Sequence, residues 1–388
     1  MASAMRGTFP AGTQPARPPM AFLSFDIFCR VIDNYGDIGV CWRLARQLAA
    51  TGGAGKIRLW VDDTHSFSRI EPRLAPALPT QEIQGIEIVR WVDGMALPRP
   101  HDVVVEAFAC DPPPGFIQQM QPGHLWINLE YLSAEPWVER FHAQPSPQPG
   151  GQRKAFFFPG FTPGTGGLLR EPGLLATRDR WLADRQCRAR LLTQLGLENA
   201  DIQALCAGQA SQVMLFSYPD APAQALVAAL GARPEPAVVL VPAGVCPTLH
   251  RGRHGRVLVQ EIPFVDQDGF DRLLWSSDLN CVRGEESLVR AMWAARPLLW
   301  HIYAQQEQAH LDKLRAWLDL SPFEACVKQA MHSWNTADAR GLTESLRAAL
   351  RPPQLLAWQK AADQWARRLA SQDDLASALL RFCQAGLA

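Results

Sequence analysis

Short apolar runs alternate with longer amphipathic stretches along almost the whole chain. In the first half this pattern predicts one clear helix, at 40–50, and strands at 25–32, 57–61, 86–92, 102–108, 125–131 and 154–158. In the second half it predicts strands near 212–218, 237–242, 256–262, 279–283 and 298–303. The accompanying helical patterns lie at 221–231, 267–277, 286–295 and 306–318. Each half therefore has the alternation of strand and helix that is typical of a parallel sheet.

The predicted strands have the composition of strands that are buried on both faces. Val238–Val241 is apolar without interruption, as expected for parallel strands that helices cover on both sides. The sequence thus predicts an α/β protein with two Rossmann-like domains. The segment 160–185 is rich in Gly and Pro and has the composition of a linker, so we expect an N-terminal domain over 21–175 and a C-terminal domain over 176–388.

The two ends of the chain have patterns of their own. Residues 1–20 are rich in Pro, Ala and Gly and lack the apolar stretch of a signal peptide, so we expect a disordered leader. Roughly the last sixty residues have a helical pattern, with one apolar face formed by Trp358, Ala362, Trp365 and Leu369. Such a face docks a helix on a folded domain, and we expect the terminal helices to pack back on the N-terminal domain.

Composition and charge narrow the class of function. The 388 residues include 38 basic and 38 acidic side chains, and a formal net charge of zero disfavours nucleic acid or a membrane surface as the main partner. No apolar run is long enough to span a membrane. The nine cysteines are scattered, which indicates reduced thiols of a cytoplasmic protein and no zinc site. The sequence has no P-loop, no dinucleotide-binding Gly motif and no Gly-x-Ser-x-Gly elbow, so the corresponding enzyme classes are disfavoured.

A first stretch with candidate chemistry follows the first predicted strand and reads Asp33-Asn34-Tyr35-Gly36-Asp37-Ile38-Gly39. In an open α/β sheet, ligands bind beyond the carboxyl ends of the strands, where this stretch lies. Asp33 and Asp37 can converge on one point there, and two carboxylates suit a cationic or proton-losing substrate. A structural turn, in which the acids hydrogen-bond the backbone and favour the helix start, explains the same residues.

A second stretch ends the predicted strand at 279–283 and begins the next helix; it reads Arg283-Gly284-Glu285-Glu286-Ser287. The free N–H groups of a helix N-terminus, together with Arg283 and Ser287, can hold a diphosphate. Glu285 and Glu286 would repel that group and are better suited to sugar hydroxyls or a cationic acceptor. An ordinary helix start with acidic residues in its first turn is the alternative.

Other polar and aromatic residues also follow predicted strands of the second half. Phe264 can stack on a base, Gln267 can bind its polar edge, and Tyr218 is expected to point into a cleft between the domains. These features describe a GT-B-type glycosyltransferase, in which two Rossmann-like domains face a central cleft. In that architecture the C-terminal domain holds a nucleotide sugar and the N-terminal domain presents the acceptor.

The same residues resemble the signatures of a known family, the elongation factor P arginine rhamnosyltransferases (EarP). Its N-terminal signature is similar to Phe25-Asp26-Ile27-Phe28-Cys29, to Asp33–Val40 and to Trp42-Arg43-Leu44-Ala45. Its second signature is similar to Arg283–Ser287, to Trp300-His301-Ile302-Tyr303 and to residues 305–310. The similarity extends from Phe25 to the C-terminus. Glu286 stands where the family usually has Asp, and Ala304 where it usually has Pro.

The resemblance implies transfer of L-rhamnose from dTDP-β-L-rhamnose to an arginine guanidinium of elongation factor P, with inversion and without a metal or other cofactor. It implies three catalytic carboxylates, Asp33, Asp37 and Glu285, of which we take Asp37 as the general base and Asp33 as its orienting partner. The implied donor-binding positions are Tyr218, Phe264, Gln267, Arg283, Glu285, Glu286 and Ser287. The implied acceptor-binding positions are Asn34, Tyr35 and Gly36.

Two other interpretations fit the sequence. One is a different GT-B enzyme, either a glycosyltransferase or an epimerase, that acts on a small molecule and prefers another nucleotide such as UDP. The other is a nucleotide-binding or adaptor protein without enzyme activity, in which the Asp33–Gly39 turn is only structural.

Overall fold

The structure, a computed structural model, describes residues 22–33, 35–305, 308–336 and 339–387. The predicted leader 1–20 and the predicted acceptor residue Asn34 lie outside the described residues.

The first half of the chain forms an eight-stranded sheet with helices packed on it. The strands are β1 (Leu23–Cys29), β2 (Ala54–Val61), β3 (Thr80–Ile83), β4 (Ile86–Arg90), β5 (Val103–Ala107), β6 (Leu125–Leu129), β7 (Pro145–Pro147) and β8 (Arg153–Phe157). Their spatial order is β3-β4-β2-β1-β5-β6-β8-β7, and only the outer strands β3 and β7 run antiparallel to their neighbours. The helices of this half are α1 (Gly36–Ala50), α2 (Thr64–Ile70), α3 (Pro114–Ile117) and α4 (Val138–Phe141).

The second half forms a six-stranded sheet. Its strands are β9 (Ser211–Leu215), β10 (Ala237–Pro242), β11 (Gly252–His254), β12 (Val257–Ile262), β13 (Leu279–Arg283) and β14 (Leu298–His301), in the order β11-β12-β10-β9-β13-β14. All pairs are parallel except β11 with β12. The helices that precede or connect these strands are α5 (Leu174–Ala183), α6 (Arg185–Gln194), α7 (Asn199–Cys206), α8 (Ala223–Gly231), α9 (Gln267–Ser276) and α10 (Gly284–Ala294).

The described residues after the second sheet form five helices, which divide between the two cores. They are α11 (Ala309–Leu320), α12 (Ala325–Asn335), α13 (Ala339–Ala349), α14 (Pro352–Ala370) and α15 (Leu375–Leu387). The predicted apolar face of α14 is buried in the core of the second sheet, where α14 packs on α10 and α13. Only α15 crosses to the first sheet, where it packs on α1 and β6. No helix in the described part of the chain is both long and apolar enough to cross a membrane.

The order of both sheets reverses at their first strand, since β1 lies between β2 and β5, and β9 lies between β10 and β13. In open α/β sheets such a switch point leaves a crevice beyond the carboxyl ends of the strands, which is where ligands bind. The Asp33–Gly39 stretch follows β1, and Tyr218 follows β9. The topology therefore places both at the same kind of crevice, one in each sheet.

The predicted elements differ from the structure mainly at their ends. The segment 160–185 was predicted as a linker, but its second part forms α5, whose only buried residue is Leu174. A helix with so few buried residues has no apolar periodicity from which to predict it. The strand predicted at 25–32 ends at Cys29, because the apolar Ile32 lies exposed beside the turn and is not paired in the sheet.

Candidate active site

The turn between β1 and α1 is closed by a buried carboxylate. Asp37, in the first turn of α1 and only 3% exposed, accepts hydrogen bonds through Oδ2 from the N–H groups of Ile32, at 2.8 Å, and Asp33, at 2.9 Å. Gly36 N–H donates to the carbonyl of Asp33 at 2.7 Å, and Tyr35 occupies the N-cap position without a capping side-chain bond. Asp37 thus folds back on the preceding turn, which fixes its position.

Burial raises the pKa of Asp37, and the nearby charges of Asp33 and Glu285 raise it further, while the two backbone N–H donors oppose the shift. A carboxylate in this environment binds a proton more readily than an exposed Asp. It is therefore suited to accept a proton from a substrate that loses one during the reaction.

Asp33 joins the two halves of the protein through Tyr218. The phenol of Tyr218 donates to Asp33 Oδ2 at 2.8 Å, and burial together with the charge of Asp33 raises the pKa of Tyr218, so that it keeps its proton. The other oxygen, Asp33 Oδ1, is buried and has no hydrogen-bond partner among the described residues. A buried carboxylate oxygen without a donor is costly, and a bound cationic donor would satisfy it.

Glu285 approaches these acids from the start of α10. Its Oε2 accepts a hydrogen bond from Leu132 N–H, just after β6, at 2.7 Å. Its Oε1 forms an ion pair with the ammonium of Lys313 on α11. The glutamate is therefore held by a backbone group of the N-terminal half and a side chain of the C-terminal half.

Asp33, Asp37 and Glu285 together line a cavity of about 130 Å³ between the two sheets. Apolar walls enclose it, and on one side Phe108 stacks on Tyr131 with their ring centroids 4.5 Å apart. No group of three or more His, Cys, Asp or Glu side chains in the described ranges is arranged to hold a metal ion. A small pocket with apolar walls and converging acids is suited to one cationic side chain.

Arg283 lies on the C-terminal side of this cavity. It is the N-cap residue of α10, and its guanidinium lies over the rings of Tyr218, Phe216 and Tyr35, at 4.8, 5.0 and 5.9 Å from the centroids. Within the described residues it forms no ion pair, so its charge is available to an anion. The Ser287 hydroxyl, which the sequence also assigned to the donor site, donates to the Arg283 carbonyl.

An aromatic pocket of about 50 Å³ lies next to Arg283. Phe264 lies in it with its centroid 5.0 Å from that of Tyr35, and Phe216 and Phe270 form another wall with centroids 5.1 Å apart. Gln267, at the start of α9, donates to the Gly39 carbonyl at 3.3 Å, while its buried Oε1 has no partner in the described part of the chain. Flat apolar walls with one free polar atom suit a nucleic acid base.

The structure thus separates the predicted residues into two neighbouring places. Gly36 lines the acid cavity with the three carboxylates, whereas Tyr35, assigned to the acceptor, lies in the aromatic pocket with Phe264 and Gln267. The sequence missed Phe270 as an aromatic wall, since an apolar residue on a helix ordinarily packs in the core. Phe216 lies two residues before Tyr218, at the strand end that the sequence places beside the cleft. The sequence also missed Lys313, because one lysine on an amphipathic helix carries no signal of its partner.

Glu286, predicted to bind the donor, lines both the acid cavity and the aromatic pocket, and it also belongs to a buried ionic network. Its Oε1 accepts from Arg43 Nε at 2.6 Å, and Arg43 also pairs with Glu171 at 2.9 Å. Arg290 pairs with both Glu171 and Asp271, which completes the network. Arg43 belongs to α1 of the first half and Asp271 and Arg290 to helices of the second. The network therefore links the two halves beside the cavity.

Gly284 allows the close approach of the two acid-bearing helices. Its φ of +61° lies in the left-handed region, and a Cβ there would lie 3.0 Å from Asp33 Oδ2 and 3.1 Å from Tyr218 Oη.

We expect Gly284→Ala to cost about 1–2 kcal/mol in backbone strain and, by displacing the Asp33–Tyr218 pair, to slow catalysis by about tenfold or more. Gly231→Ala, at the end of α8 where the nearest contact is 3.8 Å, is the control. Equal melting temperatures and rates for the two variants would contradict this expectation.

Comparison with known proteins adds independent information on this arrangement. A family model described as Elongation-Factor P (EF-P) rhamnosyltransferase EarP matches residues 25–384. A protein-arginine rhamnosyltransferase of Pseudomonas putida is 44% identical over 383 residues, with 92% of this chain and 98% of that protein covered. One of Neisseria meningitidis is 36% identical over 389 residues, with 92% and 96% covered.

Solved structures agree with the sequence relatives. One, described as the structural basis for EarP-mediated arginine glycosylation of translation elongation factor EF-P, is 34% identical with a TM-score of 0.61, and 93% of this chain and 98% of that chain are covered. A spinosyn rhamnosyltransferase is 11% identical with a TM-score of 0.51, covers 93% and 99%, and shares the fold alone. The predicted GT-B-type α/β fold is confirmed. The chain belongs to the EarP family of elongation factor P rhamnosyltransferases.

Proposed function

We propose that this protein is an inverting protein-arginine rhamnosyltransferase. It transfers L-rhamnose from dTDP-β-L-rhamnose to an arginine guanidinium of elongation factor P and so activates that factor. The observation that carries the proposal is that two opposite charges lie in one cleft, each without an ion-pair partner among the described residues. Asp33 Oδ1 is buried and accepts no hydrogen bond there, and the nearby Arg283 forms no ion pair. Membership of the family supports the identity of donor and acceptor.

On the acceptor side we assign Asp37 as the general base and Asp33 as the residue that orients the guanidinium. An arginine side chain is a poor nucleophile, because its charge is delocalised and its pKa lies above about 12. Two carboxylates can bind such a cation through charge-assisted hydrogen bonds. The raised pKa of Asp37, caused mainly by burial, helps it to take the proton that the guanidinium loses.

On the donor side we assign the base to the aromatic pocket and the diphosphate to Arg283 and the N-terminus of α10. Phe264 and Gln267 would contact the thymine, and the free N–H groups of α10 would face the phosphates. Glu285, held by Leu132 and Lys313, faces the sugar between the two sites. Glu286 lines the aromatic pocket and is held there by Arg43, and Ser287 supports the donor site through the Arg283 carbonyl.

The proposed reaction is a single displacement at the anomeric carbon of rhamnose. A guanidinium nitrogen forms the new bond to that carbon as Asp37 takes its proton, and the bond to the diphosphate oxygen breaks with its electron pair leaving on dTDP. Arg283 stabilises the charge that develops on the leaving group. Attack from the face opposite the diphosphate inverts the configuration, as in inverting glycosidases. The donor is a co-substrate, and we propose no further cofactor or metal.

We also propose that the protein acts in the cytoplasm, without nucleic acid or a membrane as a partner. All nine cysteines lie in the described part of the chain, and none of them forms a disulfide. That pattern is typical of proteins in a reducing compartment.

Intact mass spectrometry of the acceptor tests the proposed function. Purified protein with dTDP-β-L-rhamnose should add one deoxyhexose to elongation factor P, and a factor with Lys in place of the acceptor arginine should gain no mass. An unchanged mass of the wild-type factor, with a donor shown to be intact, would reject the proposal. A preference for UDP over dTDP in thermal-shift measurements would instead favour another GT-B enzyme.

A further inference from the structure

We infer that Lys313 is a positioning residue for the transfer reaction: it fixes the carboxylate of Glu285 and offsets one of the negative charges around the catalytic acids. This inference rests on the proposed function, since it assigns a role within the same cavity. Lys313 is one of five lysines in the chain and belongs to α11, 28 positions after Glu285.

The geometry holds Glu285 from two sides. Lys313 Nζ pairs with Oε1, and Leu132 N–H donates to Oε2 at 2.7 Å, so both oxygens of the carboxylate have a partner. The side chains of Lys313 and Glu285 are only 14% and 21% exposed. An ion pair this well shielded from water is held more firmly than the surface pairs that contribute almost nothing. Loss of Lys313 would leave Glu285 with one partner and free to change rotamer.

The charge of Lys313 is also placed where it acts on the acids. Among the described residues it is the one cation that lines the acid cavity, which contains Asp33, Asp37 and Glu285. Its Nζ lies 5.8 Å from the centroid of Tyr131, whose ring forms part of the same wall. Without Lys313, the charge of Glu285 would act on Asp37 without the ammonium that now pairs with it.

This placement has a consequence for pH dependence. The ionisable groups that interact electrostatically with Asp37 include Asp33 in its own turn, Glu285 on α10, Tyr131 after β6 and Cys29 at the end of β1. Burial already raises the pKa of Asp37, and Glu285 adds to the shift. Removal of the Lys313 charge raises the pKa of Asp37 further. Since the base must be deprotonated to act, the acidic limb of the rate profile then moves to higher pH.

The test compares Lys313→Met and Lys313→Arg with the wild type, by measuring kcat and the KM for elongation factor P across pH. Lys313→Met should lower kcat by about ten- to a hundredfold through the misplaced Glu285. The acidic limb of the pH–rate profile of Lys313→Met should move to higher pH by about half a unit or more. The acceptor KM should not rise, because a more negative cavity still attracts the arginine. Lys313→Arg keeps the positive charge, so the acidic limb of its rate profile should lie at the same pH as in the wild type.

Lys360→Met, at an exposed position of α14, is the matched control and should behave as the wild type. Lys313→Gln carries the same predictions and replaces Lys313→Met if the latter does not fold. An acidic limb that stays in place in the neutral variants, or a loss of kcat with a matching rise in KM, would show that Lys313 only anchors α11 and would overturn the inference. Failure of the wild type to transfer rhamnose would instead reject the proposed function.

Discussion

Asp37→Asn should reduce the rate of rhamnose transfer by about 10²- to 10⁴-fold, the usual contribution of a general base, while dTDP binds nearly as before. The substitution is almost isosteric, and the amide oxygen of Asn can still accept from the N–H groups of Ile32 and Asp33. The turn is therefore retained, and what is lost is the capacity to take a proton. Because the aromatic pocket and Arg283 lie on the other side of the cavity, the donor site is untouched.

Single-turnover rates and calorimetric dTDP binding would measure the two effects separately. Asp93→Asn, at an exposed position of the same half of the chain, is the control and should leave both unchanged. A collapse of dTDP affinity in Asp37→Asn would place Asp37 in the donor site. A nearly normal rate would show that another carboxylate takes the proton, with Asp33 the next candidate because its Oδ1 has no hydrogen-bond partner in the described part of the chain.

Arg43→Met should destabilise the folded protein by about 3–5 kcal/mol, the usual effect of removing one partner from a buried ionic network. Arg43 is almost fully buried and faces three carboxylates, those of Glu171, Asp271 and Glu286. Burial alone would lower the pKa of Arg43, but these acids outweigh it and raise that pKa. Without Arg43, Arg290 would remain as the only arginine in the network.

The same network predicts how the stability of Arg43→Met depends on pH. Burial alone would raise the pKa of Glu171, yet Arg290 and Arg43 hold it well below its usual range. Such a carboxylate contributes stability above its unfolded-state pKa, and that stability is lost as pH falls through the folded-state value. Loss of Arg43 should therefore remove stability at neutral pH, and the difference from the wild type should narrow in acid.

Urea unfolding at pH 7 and at lower pH would measure the difference in the free energy of unfolding between Arg43→Met and the wild type. Arg46→Met is the matched control on the same helix: Arg46 is partly exposed, and its ion pair with Asp268 is 3.6 Å long. It should cost less than about 1 kcal/mol. Equal urea midpoints for Arg43→Met and Arg46→Met would show that the buried network contributes little to stability.

Several features of the site could be predicted from the sequence because they lie at the ends of strands. A strand that ends in a polar turn and is followed by a helix has a local signal, and both acid-bearing stretches, after β1 and after β13, have this form. Parallel strands of one sheet bring their carboxyl ends to one edge, so the residues that follow them can be assigned to a ligand crevice.

The ion pairs that support the site had no such signal. Arg43 and Glu286 are 243 positions apart, and Lys313 and Glu285 are 28 apart on separate helices. Arg43 and Lys313 are charged residues on helices, where a solvent-facing position is the usual expectation, and nothing in the sequence indicates which glutamate each of them meets. Tyr35 likewise was assigned with its neighbours to the acceptor, but the turn directs its ring toward Phe264.

The sequence by itself determined the fold class and the two chemical motifs, because apolar periodicity and strand-end residues are local properties of the chain. The tertiary structure decided which charges meet. Asp33, Asp37 and Glu285 line one cavity only because the two sheets face each other, with Tyr218 and Leu132 donating across the gap at 2.8 and 2.7 Å. Charge pairing acts over a few ångströms in space, and distance along the chain does not predict it.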